Sequence, residues 1–277
     1  MITGNAMLAG VLGWPVAHSR SPRLHNHWLA RHGIDGAYVP LPVRPADFAA
    51  AVQGLRRAGF RGANVTIPHK ETALAVCDTM DEVARRAGAV NTLVFGEHGV
   101  HGTSTDGAGF LANLRAHDVD PAAGPALVLG AGGAARAIAA ALLESGARVA
   151  VCNRSPARAQ ALVAALPCVA MVAWEHRSAA LADHALLVNT TSLGMQGQPA
   201  LDIDLATAPG AMAVADIVYV PLQTPLLRQA AARGLRHVGG LGMLLHQAVP
   251  GFAAWFGVAP VVDQAVFDLL AADIPPV

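Results

Sequence analysis

Short apolar runs alternate with Ala/Leu-rich segments along almost the whole chain. Strands are predicted at residues 8–12, 37–41, 62–66 and 90–95, with helices at 22–32, 46–58, 72–77, 82–87 and 107–117. The run Val119-Asp-Pro-Ala-Ala-Gly-Pro125 then breaks the pattern with turn residues. The alternation restarts with strand 126–129, helix 134–145, strand 148–152 and helix 156–165. Weaker units follow: strands at 186–189 and 212–217, and a helix at 225–233. The last stretches, 243–256 and 263–271, are helical with no further strand. Strands separated by helical segments predict an α/β chain with largely parallel sheets. The expected organisation is an N-terminal α/β domain over residues 1–106, a second over 107–240, and C-terminal helices over 241–277 packing back on the first.

Composition narrows the function classes. Of 277 residues, 53% are hydrophobic and 14% charged, enough apolar material for a core. Lys+Arg and Asp+Glu both number 19. No basic excess or stripe points to nucleic acid. No basic residue precedes Arg20, which does not read as a secretory signal. The apolar stretches are too short or too interrupted by polar residues and Pro to span a bilayer. Cys77, Cys152 and Cys168 lack CxxC spacing, so neither a disulfide framework nor a zinc site is expected, and a cytoplasmic location fits. His25 and His27, two positions apart, point to different helix faces, and no metal is expected. Among 19 basic side chains the only Lys is Lys70. An ammonium can release its proton at usable pH and a guanidinium cannot.

The segment Leu127-Val-Leu-Gly130-Ala131-Gly132-Gly133-Ala134-Ala135 carries the strongest chemical signal: a strand, a glycine turn and a helix start. It fits the dinucleotide fingerprint G-x-G-x-x-A. Gly130 permits the turn, Gly132 lets backbone approach a pyrophosphate, and Ala135 lets the helix pack close. The helix N-terminus offers unpaired N–H groups to phosphate. The end of the next strand reads Asn153-Arg154-Ser155-Pro-Ala-Arg158, with no acid for a ribose 2′-hydroxyl. Arg154 and Arg158 suit a 2′-phosphate instead, which favours NADP over NAD.

The first domain concentrates hydroxyls and amides near predicted strand ends. Ser19 and Ser21 precede a helix opened by Pro22. Asn64 and Thr66 lead to Lys70, Asn91 starts a strand, and Asp106 precedes the helix of the second domain. Together they suit a small polyhydroxylated carboxylate. Each also has a structural reading: Ser21 and Asp106 as helix caps, Asn64 and Asn91 as partners of loop backbone.

These strings resemble the shikimate dehydrogenase family from end to end. They are His18-Ser-Arg-Ser-Pro22, Asn64-Val-Thr-Ile-Pro-His-Lys-Glu71, Ala87-Gly-Ala-Val-Asn-Thr92, Thr105-Asp-Gly107, Gly130-Ala-Gly-Gly-Ala134, Asn153-Arg-Ser155, Thr191-Ser192, Val218-Tyr219-x-Pro221, Gly240-Leu-Gly-Met-Leu244 and Gln247. The resemblance implies reversible NADP-dependent reduction of 3-dehydroshikimate to shikimate, toward chorismate and the aromatic amino acids. Quinate or aminoshikimate dehydrogenase is the alternative within the family, and a non-catalytic NADP-sensing protein the alternative outside it. It implies a substrate domain and a Rossmann-like NADP-binding domain; a monomer or homodimer is expected. It makes Lys70 and Asp106 the catalytic pair. Ser19 and Ser21 would hold the substrate carboxylate, and Thr66, Asn91, Asp106 and Gln247 would bind carboxylate or ring hydroxyls. Asn64 stands alongside these, and Tyr219 lines the substrate. Ile217 and Gly240 would touch the nicotinamide, with Met243 shaping that wall. Two positions depart from the family pattern: Ser104, where Asn is usual, and Gly239, where Asp is frequent.

Overall fold

The computed structural model describes residues 2–275; Met1, Pro276 and Val277, which fall in the expected domain ranges, lie outside the described residues. The chain divides into two compact units, Met1–Thr105 with Gln247–Val266, and Asp106–His246 with Phe267–Val277.

The first unit contains β1 (Met7–Gly13), α1 (Ser21–Arg31), β2 (Gly36–Pro42), α2 (Phe48–Arg57), β3 (Gly62–Val65), β4 (Thr79–Met80), α3 (Glu82–Ala87), β5 (Thr92–Gly96) and β6 (Gly99–Thr103). Its sheet runs β2-β1-β3-β5-β6-β4. β1 is parallel to β2 and β3, whereas β5 is antiparallel to both β3 and β6. The sheet is therefore mixed. Gly96 pairs with Gly99, so only two residues join β5 to β6, and a connection that short permits only an antiparallel hairpin. The expected helix at 72–77 is a single 3-10 segment, Thr72–Val76.

Leu12, Phe48, Val52, Ala63, Val65 and Leu93 form one core of this unit. A second cluster is aromatic. Trp28, Tyr38, Phe252 and Trp255 surround His25, whose ring stacks on Tyr38 at 4.0 Å between centroids. The Trp255 indole N–H donates to the Leu93 carbonyl at 2.9 Å, anchoring the returning C-terminal helix to the sheet. It occupies the space that a side chain at Gly62 would need.

His25 is fully buried, and burial pushes its pKa down from 6.5 to about 3. Between those values the unfolded chain binds a proton that the folded chain does not. Stability therefore rises with pH through this window and falls on acidification, by up to about 1.4 kcal/mol per pH unit from this group. Asp216 opposes it, since burial raises its pKa from 3.8 to about 6. Urea unfolding of His25→Phe against the unmodified protein isolates the histidine. The variant is expected to lose less stability between pH 6.5 and 4.5, and parallel pH dependences would refute the assignment.

The second unit begins with α4 (Asp106–Ala116). It continues with β7 (Ala126–Leu129), α5 (Gly133–Glu144), β8 (Val149–Cys152), α6 (Pro156–Ala165), β9 (Val169–Val172), β10 (Leu186–Asn189), β11 (Ala213–Asp216), α7 (Pro225–Ala232) and β12 (Arg236–Val238). α8 (Gly240–Phe256) and α9 (Gln264–Ala271) run across the division between the units. The sheet is parallel throughout, in the order β12-β11-β10-β7-β8-β9. Successive residues of β7 serve opposite faces: Ala126 and Val128 pack into one core, Leu127 and Leu129 into the other. Burial on both faces explains why these strands read as continuous apolar runs. β9 and β12 were not predicted. They are the two edge strands, and their exposed residues, such as Ala170, Met171 and Arg236, dilute the apolar signal.

Candidate active site

The strand order reverses between β7 and β10, and in such sheets ligands bind beyond the carboxyl ends of the strands at the reversal. A cavity of about 170 Å³ lies there, lined by Gly130, Ala131, Gly132, Asn153, Arg154, Arg158, Trp174, Thr190 and Thr191. Gly130 has φ +117°, and a Cβ there would collide with the Thr190 hydroxyl, which itself donates to the Leu129 carbonyl at 2.6 Å. A Cβ on Gly132 would meet nothing within 4 Å, leaving that side of the turn open to an approaching group. Gly133 and Ala134 open α5, and Asn153 closes the next turn by donating to the Ser155 carbonyl at 3.0 Å. No carboxylate is among the described lining residues, whereas two exposed guanidiniums are. Open glycine backbone, a helix N-terminus and two arginines fit the phosphates of NADP. Trp174, with the Arg177 guanidinium 4.8 Å over its ring, was not singled out from sequence. Neither was Thr190.

The loop after β11 is held by Asp216. Its carboxyl accepts from Asn189 Nδ2 at 2.9 Å, Val218 N–H at 3.0 Å and the Thr224 hydroxyl at 2.7 Å. These donors favour the charged form, but burial outweighs them and produces the raised pKa. Asp216 thereby fixes the segment carrying half-buried Ile217 and Tyr219. Gly240 starts α8 so close to Ile217 that a Cβ would strike its backbone, while Met243 lies in the core of this unit.

In the first unit, the polar residues converge in a buried network. Asn91 Oδ1 accepts from Thr105 N–H at 2.8 Å and from the Thr92 hydroxyl at 3.0 Å. Asn91 Nδ2 donates to Thr105 Oγ1 at 2.9 Å and to Gln247 Oε1 at 3.3 Å. The Thr105 hydroxyl donates to the Gln247 carbonyl at 2.8 Å. Asn64 joins through Thr92, at 3.1 Å. Asn64, Asn91 and Gln247 are thus brought together, along with Thr92 and Thr105, which sequence reasoning did not assign. Thr66 follows β3, and its N–H donates to the Leu12 carbonyl at 2.9 Å.

Ser21 is not a helix cap. It lies inside the first turn of α1, Arg20 holds the cap position, and no side chain caps the helix. The Ser19 hydroxyl accepts from Ser21 N–H at 3.4 Å. Lys70 follows buried His69, which stacks on Phe48 at 4.5 Å and holds the Val43 carbonyl through Nε2 at 2.8 Å. The Lys70 carbonyl accepts from Val90 N–H at 2.9 Å, so the backbone at this position is fixed from both sides. Asp106, buried, is the first residue of α4 and belongs to the second unit. Ser104 is buried, and its hydroxyl has no partner among the described residues.

A doubly wound parallel sheet with a phosphate-binding glycine turn, attached to an α/β unit rich in buried hydroxyls and amides, is the make-up of a dinucleotide-dependent oxidoreductase. Residues 11–93 match the model of the shikimate dehydrogenase substrate binding domain, and residues 114–194 that of shikimate / quinate 5-dehydrogenase. The chain belongs to the shikimate dehydrogenase family. It is 69% identical over 274 residues, 99% of each chain, to a shikimate dehydrogenase (NADP(+)) of Acidiphilium cryptum. It is 57% identical, again over 99% of each chain, to one from Gluconobacter oxydans. The crystal structure of shikimate 5-dehydrogenase from Thermus thermophilus in complex with NADP(H) and shikimate is similar at TM-score 0.87 and 40% identity, covering 97% of this chain and 100% of that one.

Proposed function

We propose that this chain is an NADP-dependent shikimate dehydrogenase, interconverting 3-dehydroshikimate and shikimate on the way to chorismate and the aromatic amino acids. The observation that carries the reading is the 69% identity, over 99% of both chains, to a shikimate dehydrogenase (NADP(+)). The first unit is the substrate domain and the second the NADP domain. Gly130 to Ala134 receive the pyrophosphate, and Asn153, Arg154, Ser155 and Arg158 the 2′-phosphorylated ribose. Ile217, Gly240 and Met243 belong to the nicotinamide side. When bound, NADP takes up or supplies the hydride.

The chain's own residues do the rest. Ser19 and Ser21 hold the substrate carboxylate. Thr66, Asn91 and Gln247 bind ring hydroxyls, with Tyr219 on the substrate side. Lys70 and Asp106 hydrogen-bond the reacting oxygen and manage its proton. Three free cysteines support a reducing, cytoplasmic compartment. No helix among the described residues is long and apolar enough to cross a membrane.

The test follows reduction of NADP+ with shikimate, with quinate and NAD+ as comparators. Turnover with shikimate and NADP+ is expected to dominate; preference for quinate would make the chain a quinate dehydrogenase. In the same assay, Ser19→Ala combined with Ser21→Ala should raise KM for shikimate and leave kcat nearly unchanged. Those hydroxyls bind a carboxylate that does not react, so their contribution is shared by ground and transition states. Collapse of kcat with KM intact would remove both serines from the carboxylate site.

A further inference from the structure

Asn189 and Asp216 are register partners at the carboxyl ends of β10 and β11, 0% and 2% exposed. Their hydrogen bonds can be assigned atom by atom. The Leu193 carbonyl can only accept, and it lies 3.1 Å from Asn189 Nδ2. The Thr191 N–H can only donate, and it lies 3.0 Å from Asn189 Oδ1. These two backbone groups fix the amide. The Thr191 hydroxyl donates to the same Oδ1 at 2.7 Å and itself accepts from the Leu193 N–H at 3.1 Å. The remaining N–H of Asn189 goes to Asp216 Oδ1 at 2.9 Å, which also accepts from the Val218 N–H at 3.0 Å. Asp216 Oδ2 accepts from the Thr224 hydroxyl at 2.7 Å, and Thr224 caps α7.

Both donors of Asn189 are spent inside the protein, and both side chains are buried. Their task is therefore to hold the segments that meet a ligand rather than to bind one. On one side stands the phosphate cavity, whose wall includes Thr190 and Thr191. Thr190 is anchored to β7, because its N–H and its hydroxyl both donate to the Leu129 carbonyl, at 2.9 Å and 2.6 Å. On the other side is Ile217. Its N–H donates to the Asn189 carbonyl at 3.0 Å, and the next N–H, that of Val218, is the one held by Asp216. A row of bonds thus runs from the cavity wall, through Asn189 and Asp216, to the backbone on both sides of Ile217.

We infer that Asn189 and Asp216 are positioning residues that set the spacing between the phosphate cavity and Ile217, and so let one NADP molecule be gripped at both ends at once. The inference rests on the proposed place of Ile217 on the nicotinamide side. Two grips on one ligand reinforce each other only when their spacing matches its span. Loss of the row should therefore harm a ligand that spans both ends and spare one that reaches only the first.

The test compares two probes by titration calorimetry: NADPH, and adenosine 2′,5′-bisphosphate, which carries phosphates but no nicotinamide. Asp216→Ala should raise Kd for NADPH about tenfold, equivalent to losing one hydrogen bond to a charged group, and leave Kd for the bisphosphate unchanged. Equal weakening of both probes would show a merely structural role, and unchanged NADPH binding would remove the row from cofactor binding; either result overturns the inference. Asp216→Asn is the conservative variant. Its oxygen can still accept from Asn189 and Val218, and its amide can donate to the Thr224 oxygen. NADPH affinity should return to that of the unmodified protein; a loss as large as with Ala would mean that charge, not spacing, matters, and the inference would fall. Asn189→Ala should give the same split between probes. Combined with Asp216→Ala it should add almost nothing, whereas additive losses would mean two separate sites of damage and no shared row. Should Asp216→Ala not fold, Asn189→Ala carries the two-probe comparison. A ligand-free crystal structure of the Ala variant should show Ile217 displaced relative to Thr190; an unmoved Ile217 refutes the positioning role. Failure of the unmodified protein to oxidise shikimate would count against the proposed function alone, because none of these measurements depends on turnover.

Discussion

Lys70→Arg is expected to fold, to bind NADPH normally and to lose most of its turnover. Lys70→Ala should lose roughly 10²–10⁴-fold in kcat, the range for a positioned acid–base group. The structure explains why folding should survive. The backbone at this position is held by His69, stacked on Phe48 and bonded to Val43, and by the Val90 N–H on the Lys70 carbonyl. None of these uses the ammonium. Arginine retains the charge, but it is wide, planar and permanently protonated, whereas an amine is compact and can release a proton. This chain uses arginine at every other basic position, so a lysine needed only for charge would be expected to tolerate the exchange. Near-wild-type kcat in Lys70→Arg would take Lys70 out of the chemistry. NADPH affinity, measured separately by fluorescence titration, is expected to be unmoved, because the glycine turn lies in the other unit.

Replacing Arg154 and Arg158 together by Ala should weaken NADP+ by roughly 10²-fold while barely affecting NAD+. A hydrogen bond to a charged group contributes about 1.5–3 kcal/mol, reduced at an exposed site, and two such residues line this cavity. Both side chains are exposed, so their removal leaves the core of the second unit untouched. NAD+ lacks the phosphate they would grip. Parallel loss of both cofactors would show that the arginines serve the shared pyrophosphate or the fold. Equal affinities in the unmodified protein would end the argument for a 2′-phosphate site.

Part of this site was legible from local pattern. Gly130-x-Gly132-x-x-Ala135 announces its own geometry, because the turn, the open backbone and the close helix all depend on residues within one short segment. Asn64 and Asn91 were chosen as polar residues near strand ends and Gln247 by the family resemblance, and the three do converge. Thr92, Thr105 and Tyr38 carried no signal. A threonine in a strand and a tyrosine beside an apolar run read as ordinary β residues. The same limit hid Asn189, Asp216 and Thr224, a buried carboxyl and two of its donors spread over three segments.

The sequence by itself determined most of the elements and the phosphate turn. Helix and strand periods are written into neighbouring residues, and β7, α3, α6 and β10 stand where the pattern placed them. What only the tertiary structure decided is which elements are neighbours. The order of both sheets, the antiparallel pairing of β5 with β3, and the two edge strands follow from backbone pairing across long stretches of chain. So does the polar network: Tyr38 meets Asn64 across 26 positions, and Thr105 meets Gln247 across 142. A buried amide's role depends on which of its donors are already used, and its partners arrive only when distant segments pack.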